Sequence, residues 1–240
     1  MNNLRTVIIV LILLLQGCAS TEVQMVDLKP KSRVGLINMV GDEITHTHVG
    51  TTSFNNFSKK YDIDWNISSI IEDTIVGKIK KNTHYDVIKI NPTEKLLEND
   101  KELVEIGWAS HSLKESVVPE FKNIFSEYDV DIILVIREFG AEDYVTQTGT
   151  YIEGYGLYTR SFLVFEKAYA YGYLKIDGIF GDPPAYIGGQ WFGHHPVVND
   201  FNFPEDIKNI PSSELKKIEP FLLENVNKFV EQALKETKIY

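Results

Sequence analysis

The chain carries a single cysteine, Cys18, directly behind its most apolar stretch. No intrachain disulfide can staple such a body, and no multi-cysteine zinc site can organise it. A chain of 240 residues with 43% hydrophobic side chains must therefore hold itself by burying a core. That length suits one domain.

Arg5 is the only charged side chain before Cys18, and Val7 to Leu15 is unbroken apolar sequence. The run has the length of a signal-peptide apolar region and is too short to span a bilayer, which needs about 20 residues. Leu15-Gln16-Gly17-Cys18 follows at once. This tetrapeptide resembles the lipobox of bacterial lipoproteins, with Gln16 departing from the usual small or apolar residue. The resemblance implies a signal peptide over residues 1–17 and lipidation of Cys18, the first residue of the mature chain. Ala19 and Ser20 follow without an Asp, which by resemblance to Gram-negative sorting patterns places the anchor in the outer membrane, facing the periplasm. The net charge is -10, and loss of Arg5 with the signal makes the mature chain one unit more negative. An acidic body is repelled by anionic membrane surfaces and by nucleic acid, so the lipid must do the tethering.

Residues 18–32 read as a polar tether that, as flexible coil, reaches roughly 20 Å. Residues 33–240 read as one α/β domain with an α+β tendency. Val34 to Val40 and Val130 to Ile136 are apolar runs of buried-strand type. Ile67, Ile70, Ile71, Ile75 and Ile79 form a helical stripe behind Asn66, a candidate cap. Tyr85 to Ile90 is a short strand. Ser112-Leu-Lys-Glu115 has the pattern of a capping box, with Pro119 as the competing helix start. Leu222, Val226, Phe229, Val230, Ala233 and Leu234 mark a C-terminal amphipathic helix with Pro220 in its first turn. The expected fold is a mixed sheet of five to six strands flanked by three to four helices. This element order resembles the α/β domain of the curli-secretion lipoproteins, of the lipoprotein activators of penicillin-binding proteins, and of the TolB N-terminal domain. The resemblance implies partner binding or assembly without a catalytic site, and it assigns no functional residue.

Three patterns invite a functional reading. His46 and His48 alternate, so in a strand both imidazoles share a face at about 6.6 Å. With His194 or His195 they could ligate zinc, which needs three or four ligands; the competing reading is a solvent-facing polar hairpin. Second, Leu157 to Phe165 and Ala168 to Ile176 read as an antiparallel pair turning at Glu166-Lys167. That register sets Val164 against Tyr169, Phe162 against Tyr171 and Arg160 against Tyr173. One face then gathers Tyr158, Arg160, Tyr169, Tyr171 and Tyr173. Tyrosine suits interfaces, so this face is a candidate partner-binding platform, with ordinary core as the alternative. Third, residues 181–211 hold Pro183, Pro184, Pro196, Pro204 and Pro211 with four glycines, and read as a long loop displaying Trp191.

The chain lacks a Gly-x-Ser-x-Gly elbow, a phosphate-binding loop and a His-Glu-x-x-His motif. The leading expectation is thus an anchored accessory module that binds an envelope protein. A metal-binding protein or metalloenzyme and a self-assembling secretion component are the alternatives.

Overall fold

The computed structural model describes residues 26, 28–107, 111–143 and 147–236. The signal, Cys18 and most of the tether lie outside the described residues. The remainder of the tether is docked, because Lys31 donates its amide to the His84 carbonyl at 3.1 Å.

The strands are β1 (Arg33–Asn38), β2 (Glu43–Val49), β3 (Phe57–Asp62), β4 (Asp86–Ile90), β5 (Val104–Ile106), β6 (His111–Leu113), β7 (Ile132–Glu138), β8 (Gly140–Glu142), β9 (Tyr151–Glu153), β10 (Tyr155–Phe162), β11 (Phe165–Phe180) and β12 (Ala185–His194). The helices are α1 (Ile67–Asn82), α2 (Glu94–Glu98), α3 (Val118–Tyr128), α4 (Ser212–Leu215) and α5 (Glu219–Glu236). β5–β6 and β8–β9 are two-stranded ribbons; the other eight strands form one mixed sheet. The expected α/β class holds, with more strands than the sequence indicated.

β11 organises this sheet. Its C-terminal part pairs antiparallel with β7 and its N-terminal part with β10. β7 and β10 therefore act as one long strand, interrupted by the β8–β9 ribbon. β1 runs parallel to β7 and β2 parallel to β10, so β1 and β2 form a second interrupted strand beside the first. β4 and β3 border this pair, and β12 borders β11.

One face is helical. The α1 stripe Ile67, Ile71, Ile75, Ile79 and the α5 residues Leu222, Val226, Phe229 pack on Leu36, Ile44, Leu134, Leu157 and Ile176. Ala168, Ala170 and Gly172 leave room for α5. The opposite face is divided. α3 covers Ile37, Ile133, Val135 and Ile179 through Phe121 and Ile124. Farther along, Val49, Tyr158, Tyr169, Tyr171 and Tyr173 cluster with Ala141 and Ile152 of the small ribbon.

Local corrections follow from competing contacts. Asn66 adopts a left-handed backbone and makes no side-chain cap; Asp42 Oδ1 accepts from the Ser68 amide instead, at 3.0 Å. Ser112 lies in β6, and the third helix starts at Val118 with Pro119 in its first turn. The long segment after residue 181 is no free loop, since it contains β12.

Candidate functional site

Both composite strands break at the same level, β1–β2 at residues 39–42 and β7–β10 at residues 139–154. Beside the breaks, on the tyrosine face, lies a cleft of about 410 Å³ lined by Glu43, Thr47, Lys60, Asp100, Lys101 and Glu138 among others. It continues through Tyr151 and Glu153 into a second hollow of about 290 Å³ that reaches His111, Arg137 and Lys175. Gly156 permits the chain to rejoin the sheet here: its φ is 153°, and a Cβ would collide with the Thr45 carbonyl.

The cleft is polar and largely self-compensated. Lys60 pairs with Glu43 at 2.8 Å and Lys101 with Glu153 at 2.9 Å. Arg137 and Lys175 hold the buried Asp177 at 2.6 and 2.9 Å. Glu138 has its pKa raised, first by burial and then by Glu153 and Asp100, against the opposing pull of Lys60 and the Gly41 amide. Such a groove offers hydrogen-bond groups at fixed positions, while each of these four cations already has a carboxylate partner.

The tyrosines expected to form an open platform are core. Tyr158, Tyr169, Tyr171 and Tyr173 are all buried. Three of the hydroxyls are satisfied internally: Tyr158 donates to Asp143 at 2.8 Å, Tyr171 lies 3.1 Å from the carbonyls of Thr45 and Glu153, and Tyr173 meets His195 Nε2 at 3.0 Å. Burial pushes the Tyr171 phenol pKa up. These residues share one face, as the alternation implies, but the pairing register differs from the expected one. Tyr158 faces Tyr169 and Arg160 faces Lys167, with Leu163-Val164 as the turn. Leu163 has φ 54°, although it is neither Gly nor Asn. Arg160 Nη1 closes the end of β2 by donating to the Gly50 carbonyl at 2.6 Å. Trp191 is the one residue of the expected surface that stays open, 48% exposed and 5.4 Å from the Phe139 ring.

The histidines do not converge. His46 and His48 are buried in the middle of the sheet, because β2 is flanked by β3 and β10. This overturns the solvent-facing alternative. Both rings turn a nitrogen to Thr159 Oγ1, at 2.7 and 2.8 Å. Burial and the neighbouring His48 lower the His46 pKa to about 3. His194 lies three strand positions away, roughly 15 Å by strand spacing, and contacts Lys228 at 3.2 Å. Among the described residues no group of three metal-ligating side chains forms.

Among the described residues, the most exposed apolar surface lies where the sequence patterns above do not point. At the β10–β11 turn Phe162, Leu163, Val164 and Phe165 are 46%, 74%, 87% and 68% exposed, and Phe54 in the β2–β3 loop is 96% exposed. The two loops are joined where Leu163 donates its amide to Thr51 Oγ1 at 3.1 Å. The available signal was the four-residue apolar run itself, since alternate residues of a hairpin cannot all face one core.

No family model matches this chain, and no curated protein matches it. Among solved structures it is similar to protein XCC0632 from Xanthomonas campestris, family model DUF330, at TM-score 0.41 and 10% identity over 88% of this chain and 89% of that one. It is also similar to the hypothetical protein CT253 from Chlamydia trachomatis, at TM-score 0.29 and 8% identity over 83% of this chain and 98% of the other.

Proposed function

We propose that this chain is a lipid-anchored envelope module, tethered through Cys18 at the periplasmic face of the outer membrane, that engages an envelope protein through an apolar finger. The observation that carries this reading is the exposed Phe162–Phe165 turn with Phe54 beside it. A compact apolar tip on an acidic body is an interaction feature, since contiguous exposed apolar patches mark binding sites. Burying one such side chain stabilises a contact by about 1.5–3 kcal/mol.

The position of the tip favours a partner lying away from the anchoring membrane. β11 runs from Phe165 at the tip to Phe180, and its 16 residues span about 50 Å. Arg33, where the N-terminal segment joins the sheet, is at the Phe180 end: its carbonyl accepts from Asp131, and Ile132 pairs with Phe180. The tether and the finger therefore leave opposite ends of the sheet. Even if all of residues 18–32 were coil, their reach of roughly 20 Å would fall short of that distance.

The test is a photo-reactive residue at Val164 in the full chain, in intact cells, with one at the exposed Glu127 of α3 as control. The expected result is an envelope protein enriched at Val164 and absent at Glu127. Labelling of lipid alone at Val164, or identical products at both positions, overturns the reading. Cys18→Ser is expected to release the chain from the membrane fraction; retention there counts against the anchor.

A further inference from the structure

The main sheet has three unpaired borders among the described residues, and they are not alike. β3 carries Lys59, Lys60 and Asp62, and β4 carries Asp86 and Lys89. Charges on a border strand discourage the addition of a further strand. β12, with the sequence Ala-Tyr-Ile-Gly-Gly-Gln-Trp-Phe-Gly-His, has no charge and no proline over its ten residues.

The direction of its backbone groups follows from its neighbour. Tyr173 donates to Gly154 and accepts from Phe139, so the odd residues of β11 face the β7–β10 side at this level. Its even residues therefore face β12. In the register Gly172–His194, Leu174–Phe192 and Ile176–Gln190, the even residues of β12 return those bonds. Gly189, Trp191 and Gly193 are left aiming their amides and carbonyls outward. Their pattern, Gly–Trp–Gly, reads the same in both directions. The glycines have an internal cause as well, since a Cβ at Gly189 would strike Asp177 and one at Gly193 would strike Tyr173.

We infer that β12 is a self-association edge, which pairs antiparallel with the β12 of a second copy about a two-fold axis at Trp191. A two-fold interface requires one patch to be complementary to itself. Here Trp191 meets its own counterpart and exchanges both backbone bonds with it. Gly189 meets Gly193 of the second copy, and β12 itself adds no charge to the contact, although each chain carries -10. The contact covers some six residues on each side, below the ~1,200 Å² of a standard stable interface, so the dimer is concentration-dependent. This inference is independent of the apolar finger and of the lipid anchor.

The test uses the purified full chain in sedimentation across a concentration series, together with cysteine cross-linking. Trp191→Pro removes the outward amide while sparing the bonds to β11. It is expected to weaken self-association by roughly ten- to thirty-fold, the loss of one hydrogen bond per copy. Trp191→Leu, which keeps the amide, is expected to retain association within a few-fold. Matching circular dichroism spectra exclude unfolding as the cause. In an antiparallel bonded pair the two 191 Cα atoms sit about 5.5 Å apart, within disulfide range. Trp191→Cys is therefore expected to oxidise to a covalent dimer beyond both wild type and Val164→Cys. A wild-type chain that stays monomeric throughout, equal association of the Pro and Leu variants, or a dimer no stronger at 191 than at 164 each overturns the inference.

Discussion

In the half of the sheet formed by β4, β1 and β7, strands run parallel and helices cover both faces. In the half formed by β3, β2 and β10, the irregular segment around Lys208 and Ile210 lies against Lys59, Tyr61 and Phe57 on one side, while four tyrosines and a short ribbon fill part of the other face. β11 belongs to both halves, and its composition changes on the way. Near β7 its inward residues include Leu174, Ile176 and Ile179; near β10 it alternates Ala168, Ala170 and Gly172 with Tyr169, Tyr171 and Tyr173. The parallel half is a hydrocarbon layer whose strength comes from area removed from water. The tyrosine half couples burial to a set of internal hydrogen bonds. The cleft opens where these two ways of closing a sheet meet, and the exposed finger extends from the tyrosine half alone.

This difference predicts unequal responses to mutation and to acid. The largest loss is expected in the parallel half. Phe121→Ala removes a fully buried ring from beneath α3 and should cost about 3–5 kcal/mol. Urea unfolding of the full chain measures it, and a loss no greater than at an exposed position would contradict the packing of α3.

Acid acts on the other half. His46 titrates near 3 in the folded chain, against 6.5 for an ordinary histidine, because burial disfavours its charged form. Below pH 6.5 the unfolded state binds a proton that the folded state refuses. The stability present above 6.5 is therefore lost as pH falls toward 3, at about 1.4 kcal/mol per unit. At pH 4 this amounts to about 3 kcal/mol. His48 is lowered as well, by burial and by Arg160, so it adds to the same slope. His46→Gln should flatten the stability profile between pH 4 and 6; an unchanged slope would place the titration elsewhere.

These regions were also unequally legible in the sequence. β1, α1, β7 and α5 follow from runs and stripes whose partners are close or whose period is long. The central location of His46 does not, because β2 is buried by pairing with β10, more than a hundred residues away. The tyrosine face was legible because alternation survives a register shift by an even number of positions. Its register was hidden by a turn made of Leu163 and Val164, where glycine or asparagine would have marked it. β12 was obscured by Gly188, Gly189 and Gly193, which resemble loop composition although two of them have Tyr173 and Asp177 lying where a Cβ would go.

A smaller effect isolates the polar share of the tyrosine half. Tyr171→Phe keeps the ring and removes only the hydroxyl near Thr45 and Glu153. The expected loss is about 1 kcal/mol, and a value near that of Phe121→Ala would mean the hydroxyl holds the ribbon in place.

The smallest effect on stability is expected at the finger. Val164 has neither a buried contact to lose nor a role in the ladder beyond its turn, so Val164→Asp should shift unfolding by no more than about 0.5 kcal/mol. Its consequence should appear in binding, because a carboxylate cannot enter an apolar pocket without a partner for its charge. A variant that folds like wild type but no longer recovers the envelope protein cross-linked through Phe165 separates the finger from the core beneath it. If Val164→Asp instead destabilises the chain by several kcal/mol, the tip is part of the packing, and the contrast between an ordered tyrosine layer and a free apolar end is lost.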